Sequence, residues 1–420
     1  MFATLRNAWK IPDLQKRMIY TLMMIVVFRL GAHVPVPGVD AAKLATLFAS
    51  DDGLFGFFNL LSGGAFKQFS IFALGISPYI TASIIVNLLQ IAIPSLEQLA
   101  KEGEEGRKKL AQMTRYGTVV LALIQAIGMS VGIFRPAFIE FNTMSVAVSV
   151  LTLTAGTAFL MYLGEKITEN GIGNGISLFI FAGIISRMPI SIQTTIFKVI
   201  NNEVSIFAVI LFAVIAVGVI MGVIYIQQGQ RKIPVQYAKR VVGRKQYGGH
   251  STHIPLKVNQ AGVIPVIFSM SLLMFPMTIA QFMPNSGFYA FMSANFNTGS
   301  ILYNFLYALL ILGFTYFYTS VTFNPFDVAD NMKKNGGFIP GIRPGKPTAE
   351  YLMRTLNRIT FAGAIFLAII AVMPNLMAGF AGSTFRFGGT SLLIAVGVSI
   401  ETMKQIESQM IMRHYQGFLK

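Results

Sequence analysis

The chain has 420 residues, of which 54% are hydrophobic and 12% charged, and it contains no cysteine. Because soluble domains carry about 25% charged residues, this composition and a mean hydropathy of +0.62 indicate a membrane protein with many spans. The lack of cysteine excludes disulfides, thiolate metal sites and thiol catalysis. The formal net charge of +16 is high enough for a nucleic-acid partner, so its distribution along the chain matters.

Hydropathy predicts ten membrane spans, and the first is too long for a signal peptide and lacks a small-residue cleavage site. The spans lie near residues 18–36, 70–93, 116–134, 146–163, 176–190, 204–226, 259–283, 301–323, 359–377 and 388–404. An even number puts both chain ends on one side, and that side carries 26 Lys and Arg residues against 6 on the other. The positive-inside rule therefore predicts that both ends are cytoplasmic.

The stretch from Gly53 to Leu89 is apolar enough for a membrane but is not built as one simple span. A bilayer core about 30 Å thick needs about 20 apolar residues in a helix. The first piece, Leu54 to Phe66, is too short to cross and ends in Ser62-Gly63-Gly64, whereas Phe69 to Ile93 is long enough. This order predicts re-entrant backbone, which is tolerated at membrane depth only when it is buried in protein or lines a wet cavity.

Two loops on the cytoplasmic side, residues 227–258 and 324–358, are longer than a connection needs, since the median loop has about 4–6 residues. Alternation from Lys232 to Tyr237 predicts a hairpin with Gly248-Gly249 near its turn. Glycine and proline pairs predict turns in the second loop. Basic topology signals alone would explain the charge but not the length and mixed composition, so we expect ordered platforms.

The fifth span is short and ends near Pro189, and residues 191–203 then separate five spans on each side. This count permits two halves related by an inverted repeat, as in many transport folds, although no convincing self-similarity is visible. Arg29 lies near the outer end of the first span, where we expect its long side chain to reach the membrane interface.

Acidic residues inside a membrane mark proton and ion relays, but of the 17 acids only Glu401 falls within a predicted span. No histidine lies in mid-membrane, so the residues count against a proton-coupled carrier. Gly171 to Ile176 does not fit a dinucleotide loop, and no Walker pattern occurs. These glycines instead predict a tight entry into the fifth span, capped by Asn174 or Ser177. Any work that the protein supports must draw energy from elsewhere.

Two isoleucine pairs, Ile76 with Ile80 and Ile176 with Ile180, have i,i+4 spacing, so the members of each pair share a helix face. On spacing alone, lipid contact or core packing explains them. Small polar residues in the same spans are usual helix-packing contacts in membranes. Periodicity alone therefore does not predict a pore.

Nine fragments follow one another along nearly the whole chain: RLGAHVPVPGVD, NLLSGGAFKQFSIFALGISPYITASII, EGEEGRKKL, RYGT, GIGNGISLFIFAGI, GQRKIPVQYAKR, STHIPLKVNQAGVIPVIF, FNPFDVADNMKKNGGFIPGIRPG and FGGTSLLI. Each fragment is modestly specific, but their order and spacing are very specific. Together they resemble the SecY family, the central subunits of bacterial protein-conducting channels.

The resemblance implies an all-α polytopic membrane fold, with ten transmembrane helices in two pseudo-symmetric five-helix halves. The halves are residues 1–190 and 204–420, joined by a hinge loop at 191–203. A short re-entrant plug helix is expected over about residues 54–66.

The resemblance also implies three sets of channel residues. An aliphatic ring that closes the pore is formed by Ile76, Ile80, Ile176, Ile180, Ile267 and Ile394. The plug includes Asn59, Leu61, Ser62, Gly63 and Gly64. The lateral gate sets Thr81, Ser83 and Asn87 opposite Ser269, Ser271 and Phe275. A branched apolar collar can close around a moving polypeptide and exclude ions by dewetting.

Arg244, Lys245 and Arg343 match the positions at which the family docks the SecA ATPase or the ribosome. Basic loop tips suit RNA phosphates in a salt-sensitive attraction, and Arg343 also suits carboxylates on a motor. The resemblance further implies SecE and SecG as small membrane subunits, precursors with signal sequences as clients, and the lipid bilayer of the bacterial cell membrane as location. It implies no cofactor and no metal.

The expected function is a non-enzymatic channel that passes unfolded polypeptides across the membrane and releases apolar segments into lipid, driven by a partner motor or ribosome. A secondary transporter for a small solute is the alternative, since it also uses about ten spans and broken helices. A structural membrane scaffold is a third class.

Overall fold

The computed structural model is mostly helical and describes the greater part of the chain. The described residues are 2–40, 43–44, 59, 62–237, 240–242, 245–247, 251–281, 286–296, 300–381 and 389–417. The helices are α1 (Phe2–Trp9), α2 (Pro12–Gly31), α3 (Ser77–Ala92), α4 (Pro94–Lys101), α5 (Glu104–Gly128), α6 (Thr143–Asn170), α7 (Gly175–Ile200), α8 (Ile206–Gln228), α9 (Ile264–Gln281), α10 (Gly287–Asn295), α11 (Ile301–Thr322), α12 (Pro325–Lys334), α13 (Lys346–Ala381) and α14 (Gly389–Gly417). The strands are β1 (Gln230–Tyr237), β2 (Arg240–Val242), β3 (Lys245–Tyr247), β4 (Ser251–Lys257) and β5 (Gly337–Phe338).

Each of the ten predicted spans coincides with a helix, which confirms the polytopic helical fold. Within the described ranges, six helical segments are by themselves long and apolar enough to cross a membrane. They are Glu104–Ile133, Thr143–Asn170, Gly175–Ile200, Ile206–Gln228, Ile301–Lys334 and Lys346–Met373. The pair α3 and α4 would make a seventh span, bent by 102°.

The second span begins later than the sequence predicts. The prediction of one membrane-spanning helix over Phe69 to Ile93 is wrong, because α3 starts at Ser77 and has 16 residues. Residues 62–76, here called the turn segment, are outside regular helix and form successive turns over most of their length. Phe69 (φ 42°) and Gly75 (φ 58°) have left-handed backbone, whereas an α-helix needs a negative φ at every residue.

The fifth span continues beyond the point that the sequence predicts. The prediction that this span ends near Pro189 is wrong, because Pro189 lies inside α7, which reaches Ile200. A proline inside a helix removes one donor, but membrane helices tolerate it where neighbouring groups satisfy the freed carbonyl. The connection to α8 is therefore residues 201–205, shorter than the loop predicted for 191–203.

The chain divides into two compact units. The first unit contains Met1–Ile206, Ser271–Tyr303 and Ile394–Lys420, and the second contains Phe207–Met270 and Asn304–Leu393. The boundaries between the units fall within α8, α9, α11 and α14. These units do not follow the two sequence halves, which stay a prediction.

An aromatic core in the first unit joins the turn segment to α5 and α6. Phe69 stacks on Phe134 with ring centroids 3.9 Å apart, and Phe66 meets Phe134 edge-on at 5.4 Å. The same cluster buries Ala122 of α5 and Leu153 of α6. The turn segment is therefore packed against the helices that follow it.

In the second unit the two long loops form one small sheet with strand order β4-β1-β5. β1 pairs antiparallel with β4 from Gln230↔Lys257 to Gln236↔Ser251, which confirms the predicted hairpin. β5 pairs with the end of β1 through Tyr237↔Gly337. The sequence did not predict that the second loop would supply this strand.

Between β1 and β4, strands β2 and β3 make a separate ribbon that closes at the pair Val242↔Lys245. The predicted turn at Gly248-Gly249 lies outside the described residues.

Alternation along β1 turns Ile233 and Val235 toward an apolar cluster. Leu256 of β4 and Leu352 and Leu356 of α13 complete the centre of this cluster. We call β1, β4, α12, β5, the turn at residues 339–345 and the first turns of α13 the loop platform.

Candidate functional site

Asn59 and residues 62–67, here called the Gly63 turn, are tied together by local hydrogen bonds. The Gly64 N–H donates to the Asn59 carbonyl oxygen at 2.8 Å, and the Ser62 hydroxyl donates to the same oxygen at 3.3 Å. The Ser62 hydroxyl accepts from the Phe66 N–H at 3.0 Å, and Asn59 Oδ1 accepts from the Lys67 N–H at 3.2 Å. Of the predicted plug residues, this turn holds Asn59, Ser62, Gly63 and Gly64, whereas Leu61 and most of 54–66 lie outside the described residues.

Gly63 lies where two helices approach this turn. Its φ of 64° favours glycine, and a Cβ atom there would lie 2.9 Å from the Gly183 Cα of α7. Arg29 of α2 donates from Nη1 to the Gly63 carbonyl oxygen at 2.7 Å. The guanidinium of Arg29 is thus hydrogen-bonded to the Gly63 turn, and its expected place at the membrane interface stays a prediction.

Ile76 and Ile80 flank the start of α3. Ile76 is the N-cap residue, and the Ile80 N–H donates to its carbonyl oxygen at 3.0 Å. Pro78 lies in the first turn of α3, where the helix does not need its missing N–H. Both isoleucine side chains are buried, with 2% and 6% exposed. The predicted pair thus marks the junction between the turn segment and α3.

Ile176 and Ile180 lie in the first two turns of α7. Asn174 caps this helix, since its Oδ1 accepts from the N–H groups of Ile176 at 3.0 Å and Ser177 at 3.2 Å. The predicted cap is confirmed and is Asn174. Ile180 is buried, whereas Ile176 is half-buried with its Cδ1 directed at Gly164 of α6.

The other predicted ring residues lie on α14 and α9. Ile394 is 1% exposed and Ile267 is 8% exposed. Ile394 belongs to the first unit, as do the pairs on α3 and α7, and Ile267 belongs to the second. Burial is equally a property of packed helices, so the ring stays a prediction.

Along α3, two predicted gate residues continue the stripe of the predicted ring residues. Ile76, Ile80, Ser83 and Asn87 are spaced i, i+4, i+7 and i+11, which keeps them within about 60° of one another at 3.6 residues per turn. Thr81 lies outside this stripe, and its hydroxyl donates back to the Ser77 carbonyl oxygen at 3.1 Å. Helical phase therefore separates Thr81 from Ser83 and Asn87.

The same relation holds along α9. Ile267, Ser271 and Phe275 are spaced i, i+4 and i+8, within about 80° of one another. Ser269 lies on the other side, where it is fully buried and donates to the Pro265 carbonyl oxygen at 2.7 Å. On both helices, the predicted ring and part of the predicted gate share one stripe.

Arg343 is exposed in the turn between β5 and α13. Gly341 (φ 80°) and Gly345 (φ 100°) flank it, and its carbonyl oxygen accepts from the Thr348 hydroxyl at 2.8 Å. The loop platform thus presents this guanidinium on a well-bonded backbone. Lys245 lies in β3, and Arg244 lies outside the described residues.

The sequence did not predict how closely the corner between α6 and α7 is packed. The Ile172 N–H donates to the Thr21 hydroxyl of α2 at 3.0 Å, and the Gly175 N–H donates to the Thr168 hydroxyl at 3.0 Å. A Cβ atom at Gly175 would collide with the Gly164 carbonyl group. Alternate glycines at this corner were the available signal, since glycine allows backbone to approach closely.

Full-length relatives share about half of their residues with this chain. A protein translocase subunit SecY from Halalkalibacterium halodurans is 50% identical over 432 residues, with 100% of both chains covered. The protein of the same description from Bacillus subtilis is 49% identical, again with 100% of both chains covered.

Two solved channel structures have the same fold at low sequence identity. A SecY structure concerned with the plug domain matches with a TM-score of 0.65 and 18% identity, covering 94% of this chain and 92% of that one. Sec61 in the canine ribosome-channel complex matches with a TM-score of 0.60 and 17% identity, covering 94% and 93%.

The family model SecY matches residues 70–403, which include every predicted ring and gate residue and both long loops. With the full-length relatives, this match shows that the chain belongs to the SecY family of protein translocase subunits.

Proposed function

We propose that the chain is the channel subunit of a bacterial protein translocase, which passes unfolded polypeptides across the cell membrane and releases apolar segments into lipid. One observation carries this proposal: the match to the SecY family over residues 70–403, with relatives about half identical over their full length. The fold that the chain shares with a SecY structure adds support.

In the proposed channel, six isoleucines form a collar around the moving polypeptide: Ile76, Ile80, Ile176, Ile180, Ile267 and Ile394. Five of these side chains are buried, which suits a collar that is closed at rest. Branched apolar side chains yield to an extended polypeptide but leave no wet path for ions, because a narrow apolar constriction dewets.

The gate would use the stripes that continue from the collar. On α3, polar Ser83 and Asn87 follow the isoleucines, and on α9, Ser271 and Phe275 follow Ile267. An apolar segment that leaves sideways exchanges contact with these stripes for contact with lipid. Thr81 and Ser269 lie off the stripes with hydroxyls bonded to backbone, so they would support the two helices.

The plug would be Asn59, Leu61, Ser62, Gly63 and Gly64 within residues 54–66, of which 62–66 form turns instead of the predicted helix. The local bonds of the Gly63 turn would let this closure move as one piece. The two sequence halves, 1–190 and 204–420, would separate about the hinge at 191–203 when the channel opens, and of this hinge only residues 201–203 lie outside helix.

The channel itself would be non-enzymatic, and its energy would come from a SecA-type ATPase or from a translating ribosome. We assign the docking contacts to Arg244, Lys245 and Arg343 on the loop platform and its β2–β3 ribbon. The ribosome-bound state of canine Sec61 supports a ribosome as one docking partner. SecE and SecG would complete the membrane complex, with both ends of this chain in the cytoplasm.

The proposal is tested in proteoliposomes that contain the chain with its small membrane subunits. Added motor and ATP should make a radiolabelled precursor resistant to external protease, and a precursor without its signal sequence should stay sensitive. Protection without motor or ATP would contradict a motor-driven channel. Uptake of a small solute by the purified chain alone would instead support the transporter.

A further inference from the structure

We infer that Arg29 is a positioning residue that helps to hold the Gly63 turn in its docked place, so that loss of this one hydrogen bond makes the turn easier to displace. The guanidinium belongs to α2, 34 residues before the carbonyl that it binds. The contact therefore joins two parts of the fold instead of completing one local turn.

The geometry makes this contact a clamp. Arg29 Nη1 donates to the Gly63 carbonyl oxygen at 2.7 Å, a length typical of a charge-assisted bond. A Cβ atom at Gly63 would lie 3.1 Å from Nη1 and 2.9 Å from the Gly183 Cα. Gly63 thus sits between a charged donor on α2 and the backbone of α7.

The remaining described hydrogen bonds of the turn's first part are local. Ser62 and Gly64 bond to Asn59, and Ser62 also bonds to Phe66, so these bonds would survive movement of the turn as one piece. The Arg29 bond would not survive, because it reaches a different helix. Displacement of the whole turn therefore has to break the clamp and the contact of Phe66 with Phe134, while the turn itself keeps its shape.

A further consequence rests on the proposed channel function. If the Gly63 turn belongs to the plug, loss of the clamp lowers the barrier that a precursor must overcome to open the channel. A precursor with a weakened signal sequence would then be exported more efficiently. This consequence is separate from the clamp, which the resting protein can test without any precursor.

The experiment uses the cysteine-free background of the chain. Ser62 is 1% exposed, so a nearly isosteric Ser62→Cys reporter reacts with a membrane-impermeant maleimide only when the turn opens. Labelling rates are measured in the reconstituted resting complex for the reporter alone and with Arg29→Leu, Arg29→Lys or Arg135→Leu. Arg135 is the matched control, since it is an exposed arginine whose guanidinium lies over the Phe141 ring.

A hydrogen bond to a charged group has a net strength that corresponds to about 10- to 100-fold in an equilibrium constant. We expect Arg29→Leu to raise the labelling rate by about 10- to 100-fold. Arg29→Lys should give an intermediate rate, because its ammonium group still donates a hydrogen bond. Arg135→Leu should leave the labelling rate unchanged. An unchanged rate in Arg29→Leu, or equal rates in the Leu and Lys variants, would overturn the clamp. If the Arg29→Leu variant does not assemble, the Arg29→Lys variant tests the clamp instead. A labelling rate of Arg29→Lys equal to that of the reporter alone would then overturn the clamp. Faster labelling of Arg29→Leu without a change in precursor export would support the clamp but refute its link to channel opening.

Discussion

The loop platform and the Gly63 turn are both compact, but different forces hold them. The platform combines seven antiparallel residue pairs between β1 and β4 with an apolar cluster from both loops and α13. The Gly63 turn has one large apolar anchor, Phe66 against Phe134, and otherwise relies on short-range hydrogen bonds, left-handed backbone at Gly63 and Gly64, and one charged contact from α2. The platform is stabilised mainly by apolar burial, whereas residues 62–64 of the turn are held mainly by polar bonds.

This difference has an energetic side. Each fully buried apolar side chain of the platform contributes about 1.5–3 kcal/mol. In the Gly63 turn, the Asn59 Nδ2 is buried without a hydrogen-bond partner among the described residues, and an unpaired buried donor costs about 1–3 kcal/mol. The platform therefore suits a rigid docking surface, whereas the turn suits a closure that can be displaced.

The largest expected effect is on the platform. Leu256 is fully buried in its cluster, so Leu256→Ala should destabilise the platform by about 2–5 kcal/mol. Limited proteolysis of the purified complex should show faster cleavage within residues 227–258, and the resting ion conductance should stay at the parent value. Leu256→Ile is the volume-matched control and should protect the loop. Equal cleavage of the parent and the Ala variant would show that burial does not hold the platform.

A smaller effect is expected at the Gly63 turn, where two adjacent glycines form a matched pair. Both have a positive φ, but a Cβ at Gly63 meets the Gly183 backbone, whereas a Cβ at Gly64 meets nothing within 4 Å. Backbone strain alone costs about 1 kcal/mol, and Gly63→Ala adds a clash that only displacement relieves. Resting ion leak across planar bilayers should therefore rise more in Gly63→Ala than in Gly64→Ala. The reverse order would contradict the packing of this turn on α7.

The proposed collar is tested by polar substitution. Ile80→Asn and Ile394→Asn each put an amide among buried side chains, where an unpaired polar group costs about 1–3 kcal/mol and favours water. We expect increased ion conductance or relaxed selectivity for signal sequences in both variants, while Ile80→Val should behave like the parent. Unchanged conductance together with unchanged selectivity in both Asn variants would refute the collar.

The smallest effect on stability is expected at the exposed docking contact. Arg343→Glu should change the free energy of unfolding by no more than about 0.5 kcal/mol, because the side chain is exposed and its backbone bonds remain. Motor-driven translocation should nevertheless fall, because a basic contact becomes acidic. Lys109→Glu makes the same charge reversal outside the platform and should leave translocation intact. Normal export by Arg343→Glu would remove Arg343 from the docking surface.

The sequence predicts well those parts of the fold that depend on local pattern. Span positions follow from hydropathy, the β1–β4 hairpin from alternation, and the α7 cap from Asn174 at the end of a glycine-rich corner. Each of these signals involves neighbours in sequence.

The errors arise where distant contacts decide the structure. The late start of α3 depends on left-handed backbone at Phe69, whose ring stacks on Phe134, and at Gly75, which lies close to Ser62. Helix α7 continues through Pro189 against the local propensity. Arg29 binds a carbonyl 34 residues away, and no periodic pattern in the sequence indicates that partner.

The central claim is that a translocating polypeptide passes the isoleucines of α3. A photo-crosslinking amino acid at position 80 should label a stalled, radiolabelled precursor when motor and ATP are present. The same probe at position 85, an exposed residue of the same helix, should not. Crosslinks at position 80 that depend on precursor, motor and ATP would support the account, and equal labelling at both positions or none at position 80 would contradict it.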